Sequence, residues 1–104
     1  MRVFNNLIKN AIQAVPIDEK GEITINLEEK NSWFTVSVRD NGVGIDSDAQ
    51  EKIFVPYFTT KSKGTGLGLA MSKQIIEGMR GKIWFESEVG EGTTFYVSFP
   101  SYKR

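Results

Sequence analysis

The amino-acid sequence predicts an α+β fold in which helices cover one face of a mainly antiparallel β-sheet. The first apolar pattern has the 3.6-residue period of a helix, and later segments alternate apolar and polar residues as strands do. The order along the chain is a helix, two strands, a loop with a short helix, a second long helix and two strands. Because the strands come in adjacent pairs, we expect hairpins beneath a layer of helices.

The first helix is expected over residues 2–15, where apolar side chains recur on one broad face until Pro16 ends the pattern. Beside that face, Asn6, Asn10 and Gln13 form a polar stripe at spacings of four and three. An ordinary solvated face explains a stripe of amides. Amide oxygens also suit a hard cation such as Mg²⁺, which usually binds substrate phosphates as well.

The other elements follow from alternation, turns and caps. Strands are expected at 23–27 and 34–39 with a hairpin loop between them, and a second pair at 82–86 and 93–99. Ser47 and Gln50 have the spacing of a capping box, which predicts a short helix through Ile53. Residues 54–63 have no clear period and predict a loop. The second long helix is expected from residue 67 to 79, with a buried face at Leu69, Ser72, Ile75, Ile76 and Met79.

Composition narrows the class of function. The chain has 104 residues and predicts one domain over 1–104, large enough to bury roughly two-thirds of its unfolded surface. Its formal net charge is zero, so no basic field favours nucleic acid or a lipid surface. It contains no cysteine and no histidine, which excludes disulfides, thiolate or imidazole metal ligands and a histidine base within these residues. No apolar run approaches the ~20 residues of a membrane span, and a cytoplasmic location is expected.

Two glycine clusters carry the first indication of chemistry. At 40–44 the sequence Asp-Asn-Gly-Val-Gly directly follows a predicted strand. Asn-Gly is common in simple turns, but a carboxylate at a strand end also suits an exocyclic amine such as that of adenine. At 64–69 the sequence Gly-Thr-Gly-Leu-Gly-Leu opens into the second long helix, where backbone N–H groups attract anions, phosphate above all.

The second cluster matches neither the dinucleotide fingerprint nor a P-loop, so a flexible helix entry is the plain alternative. Just before it, Thr59, Thr60, Lys61 and Lys63 supply hydroxyl and ammonium groups that suit a lid over a phosphate tail. A hydrophobic plug under a loop explains part of the neighbouring aromatic residues equally well.

With these segments identified, the chain resembles the catalytic, ATP-binding domain of bacterial sensor histidine kinases over nearly all of its length. That domain belongs to the wider group of ATPases that includes DNA gyrase, Hsp90 and MutL. Five segments stand in the order of that family: the N box at 6–11, the first glycine box at 40–45, the F box at 54–61, the second glycine box at 64–69 and the closing strand at 90–95. Each segment alone is weakly specific, whereas five in order are a specific signal.

The resemblance implies a Bergerat-type fold, a two-layer α/β sandwich with a mixed, mainly antiparallel sheet and ATP between the N-box helix and a lid. It implies that Asn10 coordinates Mg²⁺, with Asn6 assisting at the metal or the phosphates. It also implies that Asp40 receives the adenine amino group, directly or through a water beside Gly44 and either Thr93 or Thr94. Lys61 is expected to reach the γ-phosphate. The full set assigned to ATP or ADP is Asn10, Asp40, Gly42, Gly44, Ile45, Phe58, Thr60, Lys61, Gly64, Thr65, Gly66, Leu67, Gly68, Leu69, Thr93 and Thr94. The catalytic set is Asn6, Asn10 and Lys61.

The same resemblance implies a phosphoryl transfer. Hydrolysing relatives carry a glutamate base where this chain has Asn6, and an amide cannot take a proton from water, which favours transfer to an acceptor. The implied acceptor is a histidine on a separate hairpin of the same parent kinase, with a response regulator downstream. The parent kinase is expected to be a homodimer, and the sequence leaves open whether it is anchored in a membrane. The 104-residue piece is expected to be a monomer, and residues before Met1 are expected to complete its first helix. A gyrase-type hydrolase and an anti-sigma-type serine kinase are the alternatives.

Overall fold

The computed structural model describes residues 2–16, 18–55 and 68–100. These residues form helices α1 (Arg2–Ala14), α2 (Ser47–Gln50) and α3 (Gly68–Gly78), and strands β1 (Ile23–Lys30), β2 (Trp33–Asp40), β3 (Lys82–Glu88) and β4 (Gly92–Pro100). The strands form one sheet in the order β1-β2-β4-β3. All three pairings among them are antiparallel, so the predicted α+β architecture is confirmed, and the described strands contain no parallel pair of a mixed sheet.

The core lies between the sheet and the two long helices. Alternate residues of β2 and β4 face α1 and α3, because side chains of a strand point to opposite faces in turn. The residues buried in this layer are Val3, Leu7, Ala11, Val38, Ile53, Ile76, Phe95 and Val97. The predicted buried face of α3 is confirmed, since Ser72 and Ile76 are fully buried and Leu69, Ile75 and Met79 contact the core or its margin. Within the described ranges, no helix is long and apolar enough to cross a membrane.

The first hairpin is tighter than the sequence predicts. Residues 28–30 continue β1, whereas the sequence predicted a loop there; only Asn31 and Ser32 make the turn, both with positive φ, at 54° and 66°. Two residues with positive φ give a turn whose twist matches that of the flanking strands. The charged residues at 28–30 belong to an exposed edge strand, where side chains reach water without leaving the sheet.

Strand β1 leaves an apolar strip uncovered. Ile23, Ile25 and Leu27 pair with Asp40, Val38 and Val36 of β2 and therefore face the helix side of the sheet. They are nevertheless 37%, 53% and 64% exposed. The described helices pack over β2, β3 and β4 and leave this edge of the sheet open.

The cap of α2 lies one residue earlier than predicted. Asp46, in an extended conformation, is the N-cap, and its carboxylate accepts from the backbone N–H of Ala49 at 2.8 Å. A carboxylate at the N-cap satisfies a free helix N–H group and favours the positive end of the helix. Ser47 is thus the first helical residue, and the helix ends at Gln50 rather than Ile53.

Candidate functional site

Asp40 is the last residue of β2 and is almost completely buried, with 3% of its surface exposed. Its Oδ1 atom accepts the backbone N–H of Gly42 at 2.9 Å and that of Thr93 at 3.3 Å. A buried carboxylate is retained only where hydrogen bonds compensate for lost water. The structure therefore fixes a carboxyl oxygen as a hydrogen-bond acceptor at the end of the strand, where the sequence predicts the base contact.

Thr93 and Thr94, both candidates for the same water or base contact, point to opposite faces of the sheet. Thr93 pairs with Asp40 across β2 and β4 and is 4% exposed. Thr94 pairs with Arg39 and with Glu86, on the face away from the helices. The structure thus brings Thr93 to Asp40 and leaves Thr94 on the other side.

Ser87 completes a row of polar residues and is absent from the site predicted from the sequence. It is the β3 partner of Thr93, so Asp40, Thr93 and Ser87 lie side by side across three strands. Its Oγ lies 2.7 Å from Thr93 Oγ1, accepts from the Ile45 N–H at 2.7 Å and donates to Gly92 O at 3.2 Å. Its place opposite Thr93 in a paired strand is the signal that could have found it.

The glycines of the first cluster lie where protein backbones meet. A Cβ on Gly42 would collide with the carbonyl oxygen of Ala14 at the end of α1, and one on Gly44, which has φ of 78°, would collide with that of Glu88. The same contacts include a hydrogen bond from Val43 N to Ala14 O at 3.0 Å. Close approach is therefore required here by the junction of α1, the 40–45 loop and β3.

At the opposite end of α1, Asn6 joins this helix to α3. Its Nδ2 donates to Gly68 O and to Ser72 Oγ, both at 3.3 Å, and Ser72 Oγ donates to Gly68 O at 2.8 Å. Asn10 lies one turn later on the same side of α1 and is half-buried. Of the predicted amide stripe, Asn6 is thus the residue shown to contact α3, whose next residue, Leu69, is half-buried.

Helix α1 connects the two ends of the candidate site. Asn6 contacts α3, whereas Ala14, eight residues later, contacts the loop after Asp40. Eight residues of α-helix span about 12 Å. A ligand with a hydrogen-bond donor at one end and anionic groups at the other would match these two ends, with its anions near Gly68.

The amide groups fit a hard divalent cation. Both Nδ2 protons of Asn6 are directed at α3, which leaves the amide oxygen as its other polar atom. In the part of the chain that the structure describes, no group of three acidic, histidine or cysteine side chains could hold a metal ion. A cation here would rely on amide oxygens, water and ligand phosphates, which is the usual environment of Mg²⁺.

The end of the sheet beside Asp40 is acidic. A depression of about 230 Å³ there is lined by Asp40, Ser87, Thr93 and Thr94, by Gly92 and Arg39, and by the carboxylates of Glu86, Glu88 and Glu91. These carboxylates would repel a phosphate tail, which favours the helix side for a ligand's anionic end. Nearby, burial raises the pKa of the Tyr96 phenol above its ordinary 10.0, and the Glu86 carboxylate raises it further, whereas Arg39 lowers it.

Seven predicted site residues lie outside the described residues and stay predictions: Phe58, Thr60, Lys61, Gly64, Thr65, Gly66 and Leu67. The lid predicted over 59–63 lies there too. Among the described candidates, Asp40, Thr93, Gly42, Gly44 and Ile45 come together at one end of α1. At the other, Asn6 contacts Gly68, with Leu69 next to Gly68 in the chain and Asn10 one turn further along α1.

Residues 1–103 match the family described as histidine kinase-, DNA gyrase B-, and HSP90-like ATPase. The sequence is 45% identical over 104 residues to cyanobacterial phytochrome A of Nostoc, and the aligned region covers 96% of this chain and 14% of that protein. It is 44% identical over 99 residues to the sensor histidine kinase ZraS of Escherichia coli, and the aligned region covers 95% of this chain and 21% of that protein. The chain therefore spans a small part of these relatives.

Solved structures show the same fold. The catalytic domain of the histidine kinase ThkA superposes with a TM-score of 0.83 at 42% identity, covering 96% of this chain and 64% of that one. The mycobacterial sensor histidine kinase MprB superposes with a TM-score of 0.84 at 23% identity, which supports the fold alone.

Proposed function

We propose that this chain transfers the γ-phosphoryl group of Mg-ATP to a histidine on a separate hairpin domain of the parent kinase. The premise is its family: the chain belongs to the histidine kinase-, DNA gyrase B-, and HSP90-like ATPases, as the ATP-binding catalytic domain of a two-component histidine kinase. The observation that carries this proposal is the course of α1, which links the Asp40 loop to Asn6 and the start of α3. ATP lies along that helix, with adenine at Asp40 and phosphates at the other end.

At the base end, the Asp40 carboxylate accepts the 6-amino group of adenine, directly or through water beside Thr93. Asp40 is already held by the N–H groups of Gly42 and Thr93, so its position does not depend on the ligand. A preorganised acceptor of this kind reduces the ordering that binding would otherwise require.

At the phosphate end, Asn10 holds Mg²⁺ with Asn6 beside it, and the glycines of 64–68 and Lys61 hold the phosphate oxygens. Bound Mg²⁺ supplies charge neutralisation of the phosphoryl group. Phosphoryl transfer requires mainly positioning and electrostatic stabilisation from the protein, which amides, backbone N–H groups and a lysine provide.

Transfer is favoured over hydrolysis by the chemistry of Asn6. Its amide is neutral, donates to Gly68 and Ser72, and has no basic lone pair to activate water. The 104 residues contain no histidine, so the acceptor lies outside this sequence. We accordingly place this domain in a homodimeric, cytoplasmic kinase assembly that passes the phosphoryl group on to a response regulator, the isolated piece being a monomer.

The test is a transfer assay with γ-labelled ATP, Mg²⁺ and a hairpin domain carrying its histidine. Acid-labile label is expected on the hairpin, and the Asn10→Ala variant is expected to lose most of it. The matched control is Asn5→Ala, which changes an exposed asparagine of the same helix outside the stripe. Rapid phosphate release without an acceptor would favour a hydrolase instead, and acid-stable label on a partner serine would favour a serine kinase.

A further inference from the structure

We propose that Ser87 is a positioning residue that fixes the direction of the Thr93 hydroxyl proton and so restricts the base end of the site to ligands that donate hydrogen bonds. This inference rests on the proposed function, because it concerns how the same site selects its base. The ligand class that it favours is a purine with a 6-amino group over one with a 6-oxo group.

The Ser87 hydroxyl has three polar contacts. Its Oγ contacts the Ile45 N–H at 2.7 Å, the Gly92 carbonyl oxygen at 3.2 Å and Thr93 Oγ1 at 2.7 Å. These partners come from two separate parts of the chain: the loop after β2, and the first two residues of β4. Ser87 thus joins the loop to the start of β4 at this end of the sheet.

The chemistry of these partners decides the direction of each bond. A serine hydroxyl has one proton to donate and two lone pairs that accept. The backbone N–H of Ile45 can only donate, and the carbonyl of Gly92 can only accept. All three contacts are separate hydrogen bonds only if Ser87 donates to Gly92 O and accepts from Thr93.

This assignment leaves acceptors facing the base. With the Thr93 proton directed at Ser87, the remaining valence of Thr93 Oγ1 consists of lone pairs. Asp40 lies in the neighbouring register position, and an ionised carboxylate has no proton to donate and can only accept hydrogen bonds. A 6-amino group, which donates two protons, matches this pair directly or through water, whereas a 6-oxo group places an acceptor against acceptors. Sites built around specific hydrogen bonds reject analogues that leave such groups unpaired.

Ser87 can be changed without removing the loop that it contacts. Ile45 is also held through its carbonyl oxygen, which accepts from Gln50 Nε2 at 2.8 Å. Asp40 keeps its bonds from Gly42 and Thr93, which do not involve Ser87. Ser87→Ala therefore releases the Thr93 proton, which can then turn toward the ligand.

The experiment compares ADP with inosine diphosphate, which carries a 6-oxo group, by calorimetric titration. Wild type is expected to prefer ADP, and Ser87→Ala is expected to reduce the ratio of the two affinities by about five- to tenfold. Ser87→Thr keeps the hydroxyl and is expected to keep the ratio. The matched control is Ser98→Ala, a buried serine elsewhere in the sheet, whose hydroxyl contacts Thr35 and which is expected to leave the ratio unchanged.

A double-mutant cycle separates this role from a general loss of structure. In the Thr93→Val background, Ser87→Ala is expected to change the ratio no further, because the hydroxyl that Ser87 directs is gone. If Ser87→Ala does not fold, Ser87→Cys, whose thiol is a weak hydrogen-bonding group, is expected to lower the ratio in its place. The proposed role of Ser87 is overturned if the folded Ser87 variant has the same ratio of ADP to inosine diphosphate affinity as wild type. It is also overturned if wild type binds both nucleotides equally; in either case ATP binding by the domain stands. Failure of wild type to bind ADP at all overturns the proposed function instead.

Discussion

The side-chain amide of Asn6 donates to the carbonyl oxygen of Gly68 at 3.3 Å, which joins the first helix to the first described residue of the second long helix. The same nitrogen donates to Ser72 Oγ, whose hydroxyl also bonds to Gly68 O. One side chain thus fixes the distance between the amide stripe and the start of α3.

Asn6→Ala is expected to be less stable than Asn5→Ala by about 1 kcal/mol, the usual net contribution of an intramolecular hydrogen bond. Asn5 is the exposed neighbour on the same helix, so both variants gain the same helix propensity, and only Asn6→Ala removes the hydrogen bonds to α3. Urea unfolding followed by circular dichroism measures the difference. Equal midpoints in the two variants would show that the Asn6 hydrogen bonds contribute nothing.

Asp40→Asn is expected to weaken ADP binding at least tenfold, because a neutral amide with its own N–H donors replaces the carboxyl group at the base contact. The fold is expected to persist, since an amide oxygen can still accept from Gly42 and Thr93. Calorimetric titration measures the affinity. Asp46→Asn is the control, because asparagine also caps helices and the affinity should not change. Undiminished binding by the folded Asp40 variant would exclude Asp40 from the site.

Asn10→Ala is expected to remove most of the gain in ATP affinity that Mg²⁺ provides, while affinity in the presence of EDTA changes little. The physical reason is that the amide oxygen is a ligand of the cation rather than of the nucleotide. Titrations with and without Mg²⁺ measure this gain, and Asn5→Ala, at an exposed asparagine of the same helix, serves as the control. An Asn10 variant with the full Mg²⁺ effect would assign the metal elsewhere.

Gly92→Ala is expected to be less stable than Gly90→Ala by about 1–3 kcal/mol. Both residues have positive φ, at 126° and 86°, so both changes introduce backbone strain. A Cβ at Gly92 also collides with the backbone of Asp40, whereas one at Gly90 meets open space. Denaturant unfolding of both variants measures the difference; ADP affinity should fall for Gly92→Ala as well, because the collision displaces Asp40.

The pH dependence of stability above pH 10 is expected to weaken in Glu86→Gln. Burial, with the Glu86 carboxylate, raises the Tyr96 pKa in the folded protein. A raised folded pKa means that this stabilisation is present below pH 10 and is lost as pH rises through the folded value. Removing the carboxylate brings the folded pKa closer to 10.0 and reduces the loss. Ultraviolet titration of the phenolate checks the pKa, and thermal melts at pH 9–11 check the stability.

The elements predicted from the sequence are those in which local pattern and tertiary environment agree. Helix α1 and the buried face of α3 follow directly from the period of their apolar residues, and Asp40 follows from its place after a strand. The base and metal ends of the site were assigned through the family resemblance of these segments, and the roles of their residues stay predictions.

What the sequence could not supply depends on partners that are distant in the chain. Ser87 looks like an ordinary strand serine until the register places it opposite Thr93 and next to Ile45. The charged end of β1 resembles a loop because polarity alone does not separate a loop from an exposed edge strand. The exclusion of Thr94 from the Asp40 side follows from strand pairing, which fixes the face of every residue.

The uncovered strip of Ile23, Ile25 and Leu27 has a practical consequence for handling the protein. An open strand edge with an apolar face invites addition of another strand, and the charges at 28–30 on the same strand oppose that addition by repulsion. Salt screens such repulsion, so concentrated samples in high salt should begin to associate through β1 while each molecule is still folded. Light scattering at increasing ionic strength would measure the salt concentration at which this association begins.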